Sequence, residues 1–160
     1  MYDVVALGEL LIDFTTQSID SDGYPTMAAH PGGAPANFLA AIAKFGGKVG
    51  MLGKVGTDTF GKLLTNTLRG AGIETKGLVA ADEFFTTLAF VTLDENGDRE
   101  FAFARKPGAD TQLTFDELDL SLIDETRVFH FGTLSLTGEP ARTTTYRAVE
   151  YAKAHGKLVT

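Results

Sequence analysis

The chain opens on a short, unbroken run of apolar residues from Val4 to Leu7, which Gly8 closes. A run of this kind suits a strand that is buried on both faces of a parallel sheet. Between Ala36 and Phe45 the large apolar residues recur at i, i+1, i+4 and i+7, and Gly46 follows in the place of a left-handed cap. The pattern predicts a first central strand and then a helix.

A second strand and helix are predicted in the next stretch of the chain. Lys48 to Val55 is short and interrupted by glycine, and from Phe60 to Ala71 the apolar residues return to helical spacing. Asp58 or Thr59 is placed to cap this helix, because a short polar side chain can accept hydrogen bonds from its first free N–H groups.

A hairpin is predicted near the middle of the chain. Two runs, Thr86 to Leu93 and Arg99 to Arg105, flank the turn Asp94 to Asp98, whose Asn-Gly pair is a strong hairpin signal. This hairpin either joins the main sheet or stands outside it.

The last third of the chain continues the alternation of strands and helices. Thr114 and Glu117 form a capping-box pattern before a short helix, Val128 to Phe131 reads as another buried strand, and Pro140 opens a helix that ends before Gly156. The fold class predicted is therefore α/β, with a mostly parallel sheet flanked by helices.

The final residues, Lys157 to Thr160, look like the opening of a further strand. A sheet that stopped here would leave an edge and an apolar surface uncovered. We therefore expect the chain to be part of a longer fold, shortened by truncation or proteolysis or seen only in part.

The composition narrows the range of functions. With 160 residues and 44% apolar content, the chain suffices for one globular domain. Its 21 acidic and 14 basic residues give a net charge of -7 without a basic cluster, so nucleic acid is not an expected partner. No apolar run approaches the roughly 20 residues that span a bilayer, and the first residues lack the basic flank of a signal peptide. We expect a cytoplasmic protein with no membrane partner.

Cysteine is absent, which excludes disulfides, thiolate metal sites and cysteine nucleophiles. The three histidines, His30, His130 and His155, are scattered along the chain, so no zinc site is expected either. His130 is predicted to be a packed strand residue.

One segment places two glycines, Gly32 and Gly33, immediately before the first predicted helix. Backbone amides at the positive end of a helix can then approach a polar ligand closely, although the glycines alone fit a simple turn and cap equally well. Asn37 follows in the first helical turn, and an amide that donates and accepts at once suits a sugar hydroxyl.

The segment from Gly32 to Asn37 reads Gly-Gly-Ala-Pro-Ala-Asn and resembles the glycine-rich signature of the PfkB (ribokinase-like) carbohydrate kinase family, in its fructokinase form. Val5 to Phe14 is similar to the first strand and loop of that family, and Gly53 to Gly61 to its strand-to-helix segment. The resemblance covers all 160 residues but only about half of a typical family chain. It implies a single kinase domain of ribokinase-like fold, whose small β lid is formed by segments at about 13–30 and 85–106.

The resemblance also implies roles for individual residues. Asp13 matches the aspartate that grips sugar hydroxyls, and a carboxylate beyond the end of a strand can accept two hydroxyl protons; the alternative is a solvated loop acid. Phe103 and Arg105 alternate with Phe101 on one strand face and match lid positions that contact substrate in ketose and keto-acid kinases; the alternative is an edge strand with a snorkelling arginine. Lys106 to Asp110 resembles the stretch that follows them.

Two further glycine patterns are interpreted as structural. Gly56 to Lys62 fits G-x-x-x-x-G-K, but Leu63 replaces the Ser or Thr that holds Mg²⁺, and Asp58 would repel phosphate. Gly70-Ala71-Gly72 is followed by Ile73, whereas the family's Gly-Ala-Gly motif is followed by the aspartate that acts as base. We therefore expect no catalytic, nucleotide-binding or metal-binding residue in this chain.

The resemblance implies that the whole enzyme transfers the γ-phosphoryl group of ATP to a sugar primary hydroxyl, with Mg²⁺ neutralising charge. Fructose is the preferred acceptor, and six residues form the predicted substrate-binding set: Asp13, Gly32, Gly33, Asn37, Phe103 and Arg105. The 160 residues alone are expected to be inactive, and a homodimer through the lid is plausible from the resemblance. A 2-keto-3-deoxygluconate kinase, a ribokinase and a non-catalytic sugar-binding module remain open.

Overall fold

The computed structural model describes residues 1–93 and 98–160, which form two β-sheets and four α-helices within those ranges. The strands are β1 (Tyr2–Leu7), β2 (Leu11–Ile19), β3 (Pro25–Gly32), β4 (Val49–Gly56), β5 (Ile73–Ala81), β6 (Leu88–Leu93), β7 (Arg99–Ala104), β8 (Thr126–Phe131) and β9 (Leu158–Val159). The helices are α1 (Ala34–Lys44), α2 (Thr59–Gly70), α3 (Leu120–Asp124) and α4 (Ala141–Ala154). Short 3₁₀ turns cover Ala109–Gln112, Phe115–Glu117 and Thr133–Thr137.

The main sheet has five parallel strands in the order β5-β4-β1-β8-β9. One apolar cluster packs α1 and α2 against one face, and a second packs α3 and α4 against the other. The carboxyl ends of all its strands meet at one edge, because the strands are parallel. The predicted α/β class with a mostly parallel sheet is confirmed.

The two long helices on the first face were predicted from their spacing. α1 begins two residues before the predicted start and is followed by Gly46 with a φ of 87°, as expected of a left-handed cap. α2 is capped by Asp58, whose Oδ1 accepts hydrogen bonds from the N–H groups of Phe60 (2.8 Å) and Gly61 (3.0 Å). Of the two residues proposed as its cap, Asp58 is therefore the one used.

The second sheet, here called the small sheet, has four strands in the order β3-β2-β6-β7. β2 pairs with β6 in parallel, and the two outer pairs are antiparallel. The predicted hairpin of β6 and β7 therefore stands outside the main sheet, and residues 94–97 of its predicted turn lie outside the described residues.

The chain passes between the two sheets four times within the described residues. The crossings lie at positions 8–10, at Gly33, at 82–87 and after Ala104. Three strands have no prediction from the apolar pattern: β2, β3 and β5. β2 fully buries only its first two residues and β3 only its last, and β5 mixes buried and exposed positions, so none of them presents a long buried apolar run.

An ion pair ties the turn at Phe115–Glu117 to the main sheet. Lys54 is buried in β4, and its ammonium group donates to Glu117 Oε1 at 2.6 Å and to the carbonyl of Gln112 at 3.0 Å. Glu117 also completes the predicted capping box with Thr114.

No helix among the described residues is both long and apolar enough to cross a membrane.

Candidate functional site

The glycine turn lies where the carboxyl end of β1 meets the amino end of α1. Gly33 has a φ of 116°, a conformation that strains any residue with a side chain. A Cβ atom built on Gly33 would also overlap the carbonyl oxygen of Glu9, so both backbone conformation and space require glycine here.

Asp13 lies in β2, half-buried, with its carboxylate directly against Gly32. A Cβ atom on Gly32 would fall on Asp13 Oδ2, so the two predicted residues are adjacent and the glycine leaves room for the carboxylate. Burial raises the pKa of Asp13 above its ordinary value of 3.8, and the neighbouring His30 offsets only part of this increase. A partly desolvated carboxylate of this kind gains most when hydroxyl groups donate to it.

Asp13 also shares one transverse row of the small sheet with Phe103. Strand register pairs Asp13 with His30 and with Ala89, and Ala89 with Phe103. Residues opposite each other in register lie on the same sheet face, so these four side chains face one side. The Phe101 ring stacks on that of Phe103 with 6.3 Å between centroids, which gives the face that carries Asp13 an aromatic surface two strands away.

Asn37 lies in the first turn of α1, exposed to solvent. Its backbone N–H donates to the carbonyl of Gly33 at 3.0 Å, and its side-chain amide makes no hydrogen bond to the described residues. The amide is thus attached to the glycine turn and retains its donor and acceptor capacity for a ligand.

Arg105 is largely engaged by the protein. Its Nε and Nη2 donate to Asp110 Oδ2 at 2.9 and 2.7 Å, Nη2 also donates to the carbonyl of Leu134 at 3.3 Å, and Nη1 donates to Thr137 Oγ1 at 3.1 Å. A guanidinium has five N–H groups, so one N–H on Nη1 is left without an acceptor among the described residues. Arg105 therefore offers a sugar a single donor in this conformation.

Asp110 holds Arg105 in place and was not assigned a role from the sequence. Its side chain is 1% exposed, and Oδ1 accepts a short hydrogen bond from Thr87 while Oδ2 accepts the two from Arg105. The resulting network joins the end of β7 to the segment after β8, through Leu134 and Thr137.

Glu9 is the second residue that sequence reasoning missed. It follows Gly8 at the end of β1 and is only 4% exposed. Its Oε1 accepts the N–H of Ala34 at 2.9 Å, so the amino end of α1 is capped by a carboxylate from another element. A lone acid inside the apolar stretch from Val4 to Ile12 was the available signal, because such an acid must be buried with its neighbours.

The two glycine patterns interpreted as structural do not form a phosphate site. At Gly56–Lys62 the carboxylate of Asp58 already occupies the amides of the α2 amino end, and its Oδ2 accepts the N–H of Thr86 at 2.8 Å. Gly70 and Gly72 lie at the opposite, electronegative end of the same helix. Neither arrangement fits a nucleotide phosphate.

A parallel sheet covered by helices, with a small accessory sheet, places the chain among α/β domains, a class whose ligand sites typically lie at the carboxyl edge of the strands. The chain belongs to the pfkB family of carbohydrate kinases, whose profile it matches over residues 1–160.

Several of the proteins similar to this chain are fructokinases. Fructokinase-1 of Zea mays is 46% identical over 158 residues, which is 98% of this chain and 49% of that protein. The crystal structure of a fructokinase from Xylella fastidiosa superposes with a TM-score of 0.93 at 33% identity, over 99% of this chain and 50% of that one. A second structure of that enzyme, with bound ATP, gives a TM-score of 0.92 at 32% identity and covers 51% of its chain. The chain thus spans about half the length of the relatives it matches.

Proposed function

We propose that this chain forms the sugar-holding half of an ATP-dependent sugar kinase of the fructokinase type. The observation that carries the proposal is the placement of Asp13: its carboxylate lies against Gly32, faces the same side as Phe103, and adjoins the turn that bears Asn37. The similarity to named fructokinases supports a ketohexose as the acceptor.

In this proposal the residues of the chain bind and orient the acceptor. The Asp13 carboxylate accepts hydrogen bonds from sugar hydroxyls, the Asn37 amide donates and accepts, and the last N–H of Arg105 donates. The phenyl ring of Phe103 covers the apolar face of the sugar. Holding a hydroxyl in line with its phosphoryl donor contributes several kcal/mol toward the barrier.

ATP is the proposed phosphoryl donor and Mg²⁺ the accompanying ion, in keeping with the ATP-bound fructokinase of similar structure. In this proposal a further part of the polypeptide supplies the nucleotide site and the general base, in keeping with a chain that spans about half the length of the relatives it matches. We place the kinase in the cytoplasm, a location that cell fractionation can test.

We propose further that the small sheet acts as a lid over the sugar and pairs with a second copy of the chain. Phe101 is 51% exposed and Ile19 is 67% exposed, and both line a hollow of about 900 Å³ that Asp13 lines as well. An apolar, concave surface of this kind favours a partner of matching shape. Light scattering should show a dimer that Phe101→Glu reduces to a monomer, and a monomeric parent chain would contradict this part of the proposal.

Isothermal titration calorimetry on the 160-residue chain tests the binding role, with fructose, ribose and 2-keto-3-deoxygluconate as ligands. Asp13→Asn removes charge-assisted hydrogen bonds and should weaken fructose binding about ten- to hundredfold. Asp116→Asn, a change at an exposed carboxylate outside the site, should leave the affinity unchanged.

Phosphoryl transfer is then assayed after fusion of the chain to the carboxyl-terminal half of maize fructokinase-1. ATP-dependent phosphorylation of fructose supports the kinase, and preference for either other ligand assigns the acceptor to that sugar. Fructose binding with no turnover in the fusion would instead support a non-catalytic sugar-binding module.

A further inference from the structure

The carboxylate of Glu9 lies at the meeting point of three segments. It belongs to the crossing between β1 and β2, its Oε1 accepts the Ala34 N–H at 2.9 Å, and a Cβ atom on Gly132 would come within 2.7 Å of its Oε2. Gly132 begins the loop that follows β8. One buried side chain therefore contacts the glycine turn and the loop beneath it.

The glycine turn has no capping side chain of its own. Gly33 occupies the N-cap position of α1, and the first turn of that helix contains no acidic residue. Glu9 supplies the acceptor for the Ala34 N–H at the first position of α1, so a long-range side chain takes the place of the missing local cap. Both the backbone and the side chain of Glu9 thus hold this turn, since the Glu9 carbonyl also lies against Gly33.

The second carboxylate oxygen of Glu9, Oε2, has an environment that a purely structural role does not explain. Oε2 is buried and accepts no hydrogen bond from the described residues. A buried carboxylate oxygen without a donor costs about 1–3 kcal/mol, so a carboxylate at this position is unfavourable for stability alone. An apolar side chain of similar size would avoid that cost but could not hold the Ala34 N–H.

We propose that Glu9 is a positioning residue of the sugar site: through Oε1 it fixes the amino end of α1, and so sets where Asn37 lies relative to the Asp13 carboxylate. Asp13 lies in β2 of the small sheet, and Asn37 lies in α1, which packs on the main sheet. Glu9 lies on the crossing from β1 to β2, between the two sheets. The inference rests on the proposed function, because the sugar is the ligand that these two residues would share.

Two variants separate the hydrogen bond from the rest of the side chain. Glu9→Ala removes the acceptor of the Ala34 N–H, whereas Glu9→Gln retains an oxygen at the same reach. Glu117→Ala is the matched control, since it also breaks a carboxylate contact, the one to Lys54, and Glu117 makes no hydrogen bond to the glycine turn in the described residues. If Glu9→Ala does not fold, Glu9→Asp takes its place, because the shortened side chain draws its oxygen away from Ala34.

The measurements are hydrogen exchange of the Ala34 amide by NMR and fructose affinity by calorimetry. Glu9→Ala should speed Ala34 exchange at least tenfold relative to amides in the middle of α1 and weaken fructose binding by about tenfold. Glu9→Gln should stay within about threefold of the parent in both measurements, as expected for a neutral acceptor that retains the bond. Glu117→Ala should lower the melting temperature and change neither quantity.

The proposal is overturned if Glu9→Ala lowers the melting temperature but leaves fructose affinity unchanged, since Glu9 would then be structural only. It is overturned equally if Glu9→Gln behaves as Glu9→Ala does. If the parent chain binds none of the tested sugars, the proposed function fails. The exchange rate of the Ala34 amide and the NMR chemical shifts of the Asn37 side-chain amide, compared between the parent and Glu9→Ala, then still decide whether Glu9 fixes the turn.

Discussion

Replacement of Asp110 by alanine should destabilise the fold, because it leaves the largely buried guanidinium of Arg105 without its carboxylate partner. The Asp110 side chain is 1% exposed and that of Arg105 is 12% exposed, and their closest atoms are 2.7 Å apart. Removing one partner of a buried ion pair costs about 3–5 kcal/mol. Arg105 keeps its hydrogen bonds to Leu134 and Thr137, so we expect the lower figure, about 3 kcal/mol.

For a chain of this length, 1 kcal/mol shifts the melting temperature by about 2–4 °C, so Asp110→Ala should lower it by about 6–12 °C. Urea unfolding followed by far-ultraviolet circular dichroism is the suitable assay, since the chain has no tryptophan to serve as a fluorescence probe. Arg127→Ala, which breaks the exposed pair with Asp3, is the control and should cause no resolvable change.

A double-mutant cycle with Arg105→Met decides whether the pair itself is responsible. The double variant has no stranded charge, so the two losses should overlap by about 2 kcal/mol. If Asp110→Ala costs less than about 1 kcal/mol, or if the two single losses simply add, the pair does not hold the end of β7 as described.

Three further predictions concern single residues. Gly33→Ala should destabilise the fold more than Gly72→Ala in urea titrations, because both have positive φ but only Gly33 lies against another backbone group; equal losses would refute the clash. Asp58→Ala should cost about 1–2 kcal/mol at neutral pH, and since the pKa of Asp58 is lowered from 3.8, this difference should vanish as acid protonates the parent. Burial raises the pKa of Glu9 above 4.5, so the folded state holds that proton more tightly, and stability should decline as pH rises from about 4.5 through the raised pKa. Glu9→Gln should lack this decline, and a parallel profile in both proteins would contradict it.

The main sheet was predictable where burial is uniform on both faces. β1 and β8 read as apolar runs, and α1 and α2 each show a helical stripe that ends at a glycine. Within the small sheet the pattern predicted only the hairpin of β6 and β7. β2 and β3 were not predictable from it, and the parallel pair, β2 and β6, joins residues about 76 positions apart (Ile12 with Leu88). Such a pairing leaves no local periodicity.

The candidate site divides in the same way. Asp13, the glycine pair and Asn37 lie within one short part of the chain, so they can be recognised as a motif from the sequence alone. The contacts of Glu9 with Ala34 and of Arg105 with Leu134 and Thr137 arise only after folding, because each joins separate crossings or loops. Residue type alone cannot show whether an arginine serves a ligand or a neighbouring aspartate.

The four passages of the chain between its sheets have a consequence for how sugar preference can change in this fold. Gly33 and Arg105 each lie on such a passage. A substitution there changes the pocket and, at the same time, the connection that sets how the two sheets are placed relative to each other. Ala89 and Phe103 lie inside strands, where a side chain can be exchanged while the connections stay as they are. Selection for a new acceptor, natural or in the laboratory, should therefore accumulate changes in the strand interiors and leave the passages untouched.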